Sequence, residues 1–155
     1  MSSDYFGVNG EKFDVLLVDP PWKYTHCTTM GKTDNHYKTM TYTELQKMAT
    51  PIRQICKDNC ALLLWATGPK LDKAIDLMRD WGFEFKTIHH VWIKMQKNGE
   101  DVVSNGMSWY TRSASELLLV GLKGNLMKIK GDQKDGACKV QQVLFATRRE
   151  HSRKP

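Results

Sequence analysis

Phe13-Asp14-Val15-Leu16-Leu17-Val18-Asp19-Pro20-Pro21-Trp22 is the stretch on which the fold turns. Residues 13–18 are a compact, mostly apolar run, the pattern of a strand covered on both faces. Asp19-Pro20-Pro21 ends it. Neither proline can donate to a sheet ladder, and each fixes φ near about −65°, so the chain must turn there. The strand tip therefore carries a carboxylate and a rigid Pro-Pro unit.

Outward from this point the pattern alternates. Residues 1–12 read as a short polar lead-in and residues 23–40 as a polar loop. Thr41-x-x-Glu44 is a capping box, which starts a helix through Leu45, Met48 and Ala49 until Pro51 interrupts or restarts it. Cys60 to Trp65 is a second apolar run and predicts a buried strand. Leu71, Ala74, Ile75, Met78 and Trp81 recur at helical spacing, and Gly82 follows as a C-cap. Phe83 to Lys94, rich in aromatic and β-branched residues, predicts a third strand. Asn98-Gly99 and Asn105-Gly106 mark a long loop over 95–115. Ser115 to Lys123 predicts a fourth strand, residues 124–139 a Gly/Lys-rich loop, and Val140 to Ala146 a fifth strand. Strands alternating with helices define an α/β domain with a largely parallel sheet, and residues 1–155 make one domain.

Composition narrows the class. Hydrophobic residues are 41% and charged residues 26%, the balance of a soluble globular chain. No apolar run approaches the roughly 20 residues of a membrane helix, and the N-terminus lacks a signal-peptide layout, so an intracellular, soluble protein is expected. Cys27, Cys56, Cys60 and Cys138 form no CxxC pair and match no zinc spacing; they read as buried or idle thiols, and no metal is expected. The formal net charge is +6, and all the excess lies in residues 123–155, with nine Lys/Arg against three Asp/Glu. Such a concentration attracts phosphate backbones, or is simply a solvated tail.

Open α/β sheets bind ligands at the carboxyl ends of their strands, which is where Asp19-Pro20-Pro21-Trp22 falls. The Asp19 carboxylate accepts one hydrogen bond, and the Pro20 carbonyl, aimed by the proline rings, accepts another. Two adjacent acceptors suit an exocyclic NH2 group, whose lone pair is delocalised into its ring and whose protons must be polarised before it can attack a methyl donor. Trp22 would offer a flat face on which a base stacks, at about 1–3 kcal/mol. There is no Pro-Cys nucleophile, no GxSxG elbow and no P-loop, so covalent catalysis and nucleotide hydrolysis lack their usual signatures.

These residues resemble the MT-A70-like adenine-N6 methyltransferases. The segments FDVLLVDPPWKY, NHYKTMTYTEL, LLLWATGP, WGFEFKTIHHVWIK, GMSWYTRSASELLLVGLKGN and TRREHSRKP look like family segments in family order, across nearly the whole chain. The loops look more like the microbial, viral or ciliate-type branch than the animal messenger-RNA writer. The resemblance implies a Rossmann-like methyltransferase fold in permuted order, with the catalytic motif first. It implies S-adenosylmethionine as donor and adenine N6 in DNA or RNA as acceptor, DNA ahead of RNA. It implies Asp19, Pro20, Pro21 and Trp22 as the catalytic motif, with Asp19, Pro20 and Lys154 also meeting the cofactor. His36 and Tyr37 match a gate over the target base. Trp109, Tyr110 and Arg112 match a substrate-facing loop, and Glu116 matches an acidic residue near the acceptor adenosine. Family members pair, so a homologous subunit is an implied partner. The family also continues past the position of Pro155 with a helix, a strand and a ribose-contacting Asn, so the domain is expected to lack its C-terminal strand and helix here, leaving an exposed sheet edge.

Each residue also has a structural reading. Asp19 suits turns, Trp22 suits a core, and His36 and Tyr37 suit a surface loop. Glu116 could be an edge charge, and Lys154 a frayed end. His89 and His90 fall one per face of a strand and read as structural; Trp65, Trp81 and Trp92 read as core. Lys128, Lys130 and Lys134 either touch phosphates or are solvated. Two functions compete with adenine-N6 methylation: a non-catalytic nucleic-acid-binding subunit of a methyltransferase complex, and cytosine-N4 methylation, which uses the same acceptor logic.

Overall fold

The computed structural model describes residues 6–24, 38–103, 110–125, 140–147 and 153–155. His36, Tyr37, Trp109, Cys27, Cys138, Lys128, Lys130 and Lys134 lie outside the described residues.

Strand β1 (Phe13–Val18) leads, past the Pro-Pro turn, to α1 (Tyr42–Lys47). Thr41 caps α1 as its spacing predicts: its hydroxyl accepts from the Glu44 backbone N–H, and the Glu44 carboxylate accepts from the Thr41 backbone. Met48 ends α1 and starts α2 (Ala49–Ile55). Pro51 stands in the first turn of α2, where a missing N–H costs nothing because that donor has no helical partner. Strand β2 (Cys56–Thr67), a single 3-10 turn (Gly68–Lys70) and α3 (Leu71–Asp80) follow. Gly82, at φ 92°, makes the left-handed turn out of α3. Then come β3 (Glu84–Met95), β4 (Ser115–Lys123) and β5 (Val143–Thr147). Between β3 and β4 the chain first doubles back at Asn98-Gly99, with Met95 bridging antiparallel to Val102.

The sheet order is β1-β2-β4-β3-β5. β1 pairs parallel with β2, and β3 pairs parallel with β5. β4 runs antiparallel to both of its neighbours. Four strands therefore share one direction, and β4 opposes them.

The main core lies where α1, α2 and α3 cover one face of this sheet. Leu62, Leu64 and Ala66 of β2 meet Ala74, Leu77 and Met78 of α3, with Leu45, Ile52, Trp81 and Phe83 completing the cluster. The Trp81 indole is buried and donates to the Leu45 carbonyl at 2.9 Å. Asp80 ties α3 to α1, accepting from Tyr42 at 2.7 Å and from Gln46 at 2.8 Å. The opposite face holds a smaller cluster of Trp65, Trp92 and Leu118. Trp65 and Trp92 meet edge to face at 6.2 Å, and Trp92 donates to the Ala146 carbonyl at 3.0 Å. The three tryptophans assigned to the core from sequence are all there.

Two expectations are corrected. Strand β1 is not covered on both faces: Leu16 is buried, but Val15 and Leu17 are 50% and 65% exposed. The helices cover one face only, and among the described residues β1 has β2 as its one ladder partner. His89 and His90 do not fall on opposite faces either. The register steps from Ile88↔Leu119 to His90↔Leu118, so His89 is an extra, bulged residue. The bulge breaks the alternation and brings the two imidazoles into contact through their Nδ1 atoms. Burial, and then the neighbouring ring, hold His89 below the usual histidine value.

Candidate active site at the strand tips

The Pro-Pro turn after β1 is fastened by backbone bonds. Trp22 N–H donates to the Pro20 carbonyl at 2.8 Å, Met40 N–H to the Pro21 carbonyl at 2.7 Å, and Lys23 N–H to the Met40 carbonyl at 3.0 Å. The turn is thus stapled to the residues just before α1. One lone pair of the Pro20 oxygen is used by Trp22; a carbonyl oxygen has two, so its expected acceptor role stays open.

Trp22 itself is a correction. Its ring is 6% exposed and packs in the main core with Leu16, Leu45 and Ala66, rather than standing free as a stacking platform. The turn sends the side chain inward, so the structural reading of Trp22 is the one realised. Its Nε1 is buried and has no hydrogen-bond partner among the described residues.

Asp19 points the other way, with 42% of its side chain exposed. Lys154, from the far end of the chain, donates to Asp19 Oδ2 at 2.8 Å and reaches Glu116 Oε2 at 3.0 Å. Glu116 is the second residue of β4, in register with Thr67 at the end of β2 and Trp92 near the end of β3. Its other oxygen, Oε1, accepts from Lys94 at 2.5 Å. Four charges of alternating sign thus run Asp19, Lys154, Glu116, Lys94 across the tips of three strands. Lys154 also lies over the Trp65 ring at 5.7 Å, and Lys94 over Trp92 at 5.3 Å.

These pairs differ in kind from the surface pairs. Lys57–Asp14, with side chains 50% and 65% exposed, contributes about 0–1 kcal/mol. Lys154 and Glu116 are 18% and 11% exposed, and removing one partner of such a pair costs about 3–5 kcal/mol. Burial pushes the Asp19 carboxyl above the usual carboxylate range, the Glu116 charge adds to this, and Lys154 and Lys94 oppose it. Burial works against the Lys154 charge, but the hydrogen bond to Asp19 and the Glu116 and Asp19 charges outweigh it and hold the amine above its ordinary value. Asp19 and Lys154 are thus both shifted toward holding their protons.

Of the residues expected from sequence, Asp19, Glu116 and Lys154 are therefore brought together. Tyr110 is 97% exposed and Arg112 is exposed, both just ahead of β4. Sequence reasoning missed Lys94, whose only signal was a cation at the end of the expected third strand. It also missed Tyr24, whose hydroxyl shares a 2.7 Å hydrogen bond with Thr67 Oγ1 and whose ring lies under Lys70 at 4.9 Å. Behind the motif, between β1 and the helices α1 and α2, lies a mostly apolar cavity of about 450 Å³ bordered by Leu16, Val18, Asp19, Pro20 and Pro21.

A five-stranded α/β sheet with an Asp-Pro-Pro-Trp turn at a strand tip defines a Rossmann-like methyltransferase fold. The sequence model of the MT-A70 family matches residues 13–155, and the chain belongs to that family. It is similar to the type II methyltransferase M.MunI of a Mycoplasma species, 33% identical over 163 residues that cover 94% of this chain. It is similar to the human N(6)-adenosine-methyltransferase catalytic subunit METTL3, 28% identical over 74% of the chain. It is also similar to the Arabidopsis thaliana non-catalytic subunit MTB, 29% identical over 77% of the chain. The matched region spans 64% of the length of M.MunI, 18% of METTL3 and 15% of MTB.

Proposed function

We propose that this chain forms the catalytic domain of an S-adenosylmethionine-dependent methyltransferase acting on adenine N6 in nucleic acid, with DNA the favoured substrate. The observation that carries this reading is the Asp19 carboxylate, held at the tip of β1 beside the fastened Pro20 carbonyl and facing outward while Trp22 faces in. An exocyclic amine needs two acceptors, and these are the two groups in place to accept. The similarity to M.MunI over most of the chain supports DNA over RNA. The five-stranded sheet supports reading residues 1–155 as one methyltransferase domain.

The residues fit the donor. Its adenine ring asks for an apolar recess, which the cavity behind Asp19, Pro20 and Pro21 offers. Its carboxylate asks for a cation, which Lys154 offers. When bound, the donor supplies an electrophilic methyl group. The chain's own share is to grip the amine at Asp19 and Pro20 and hold it in line, where positioning supplies most of the rate. A flipped duplex base costs a few kcal/mol to extrude, which contacts from the segment around Tyr110 and Arg112 would have to offset. His36, Tyr37 and Trp109 are proposed to face the substrate with them. No helix among the described residues is long and apolar enough to cross a membrane.

The likeness to a non-catalytic subunit favours one competing reading, a nucleic-acid-binding partner without chemistry. The intact Asp19-Pro20-Pro21 turn with its carboxylate facing outward argues for the enzyme. Incubating the protein with labelled donor and with DNA and RNA oligonucleotides, then identifying the methylated nucleoside, tests the proposal. N6-methyladenine in DNA is expected. N4-methylcytosine, or no transfer despite nucleic-acid binding, would overturn it.

A further inference from the structure

Lys94 is the member of the charge row that the acceptor logic does not use. Its Nζ sits 2.5 Å from Glu116 Oε1, with side chains 23% and 11% exposed. Glu116 is 9% exposed overall, and a carboxylate so buried needs its charge matched on the spot. It has two oxygens and two lysines, one on each: Lys94 on Oε1 and Lys154 on Oε2. The backbone of Lys94 is fixed as well. Its N–H donates to the Ala114 carbonyl at 2.8 Å, and its carbonyl accepts from Val103 N–H at 2.8 Å. Val103 and Ala114 belong to the two flanks of the segment that carries Trp109, Tyr110 and Arg112. One residue therefore joins those flanks to the Glu116 carboxylate.

We propose that Lys94 is a positioning residue: by holding Glu116 Oε1 it leaves only Oε2 for Lys154, so that Lys154 is shared with Asp19 rather than captured by Glu116. Without Lys94, both Glu116 oxygens turn to Lys154 and draw the amine from Asp19. The Asp19 carboxylate then loses its nearest cation and the geometry in which it faces an acceptor amine. Among the described residues, the charged groups facing Asp19 are Lys154, Glu116 and Lys94, and the last two act on each other directly.

The inference rests on the methyltransferase reading for its kinetic test but not for its second readout. The variants are Lys94→Met, which removes the charge, and Lys94→Arg, which keeps it. Lys94→Gln replaces the first should it fail to fold. In Lys94→Met, kcat for methyl transfer is expected to fall about 10-fold to 100-fold with KM for the oligonucleotide nearly unchanged. The Asp19 carboxyl titration, followed by carbon-13 NMR in the protein without substrate, is expected to move upward. Lys94→Arg should restore both. A raised KM at unchanged kcat would instead make Lys94 a phosphate contact and overturn the proposal. So would an Asp19 titration that is identical in wild type and Lys94→Met. Absence of transfer by the wild type would refute the methyltransferase reading, while the titration would still decide the role of Lys94.

Discussion

Replacing Lys154 by Met removes a cation shared by two carboxylates, and the structure says how far the consequences reach. Its Nζ is 2.8 Å from Asp19 and 3.0 Å from Glu116. At an effective dielectric near 20, each contact is a Coulomb attraction of about 5–6 kcal/mol before desolvation is subtracted. Glu116 keeps Lys94 on its other oxygen, so the larger electrostatic change falls on Asp19. Losing an opposite charge at this range moves a carboxylate upward by about 1–3 pH units. The Asp19 side chain is 42% exposed, and solvent screening puts the shift at the lower end, about one unit or 1.4 kcal/mol. The sign follows from the chemistry. Asp19 polarises the acceptor amine with its full negative charge only when ionised, and its carboxyl already stands above its ordinary value because of burial. A further rise depletes the active form on the acid side. The assay is single-turnover methyl transfer from labelled donor across the acid range, comparing wild type, Lys154→Met and Lys154→Arg. The acid limb should move up by about one unit in Lys154→Met, a tenfold lower rate at any pH on that limb, and return in Lys154→Arg. The plateau will report any separate loss of donor binding. An acid limb at the same pH in all three proteins would refute the coupling of Lys154 to Asp19.

Two predictions concern the frame. Burial pushes the Cys60 thiol up to about 12 and also raises Cys56, and both sulfurs are enclosed by the core. Only about one part in ten thousand of Cys60 is then thiolate at pH 8, so a thiol reagent should modify the pair in denaturant and not in the folded protein; rapid native labelling would contradict this burial. Gly124 has φ +75°, and an added Cβ would lie 2.4 Å from Asn59 Oδ1 and 2.4 Å from the Asp58 carbonyl oxygen. Gly124→Ala should cost about 2 kcal/mol or more and lower the thermal midpoint by roughly 4–8 °C, and an unchanged midpoint would contradict the close approach.

Much of the frame was legible because it follows local rules. The Thr41–Glu44 box starts α1, Pro51 fits a new first turn, and Gly82 ends α3 in a left-handed turn. What the sequence withheld depends on which neighbour arrives. The apolar run of β1 predicts two covered faces, but among the described residues its strand has one partner and helices on one side, and Val15 and Leu17 are exposed. The bulge at His89 cannot be read from alternation, because it is the break in alternation. At the site, Asp19 was legible from its place after a strand and before two prolines. Trp22 was misjudged because a motif gives residue order and not direction: the same turn that sends Asp19 out sends the indole in. Glu116 and Lys154 entered through resemblance alone, and Lys94 not at all, since the contact between residues 94 and 116 is made by sheet pairing rather than by sequence spacing.

Single-turnover methyl transfer by Asp19→Asn against wild type, on an adenine-containing DNA oligonucleotide and with folding verified by thermal unfolding, tests the whole account most directly. Asparagine keeps the size and one acceptor oxygen but loses the negative charge that polarises the amine. The account predicts a folded protein whose transfer rate falls at least about 100-fold. Transfer at the wild-type rate would show that the carboxylate at the tip of β1 is not what grips the acceptor.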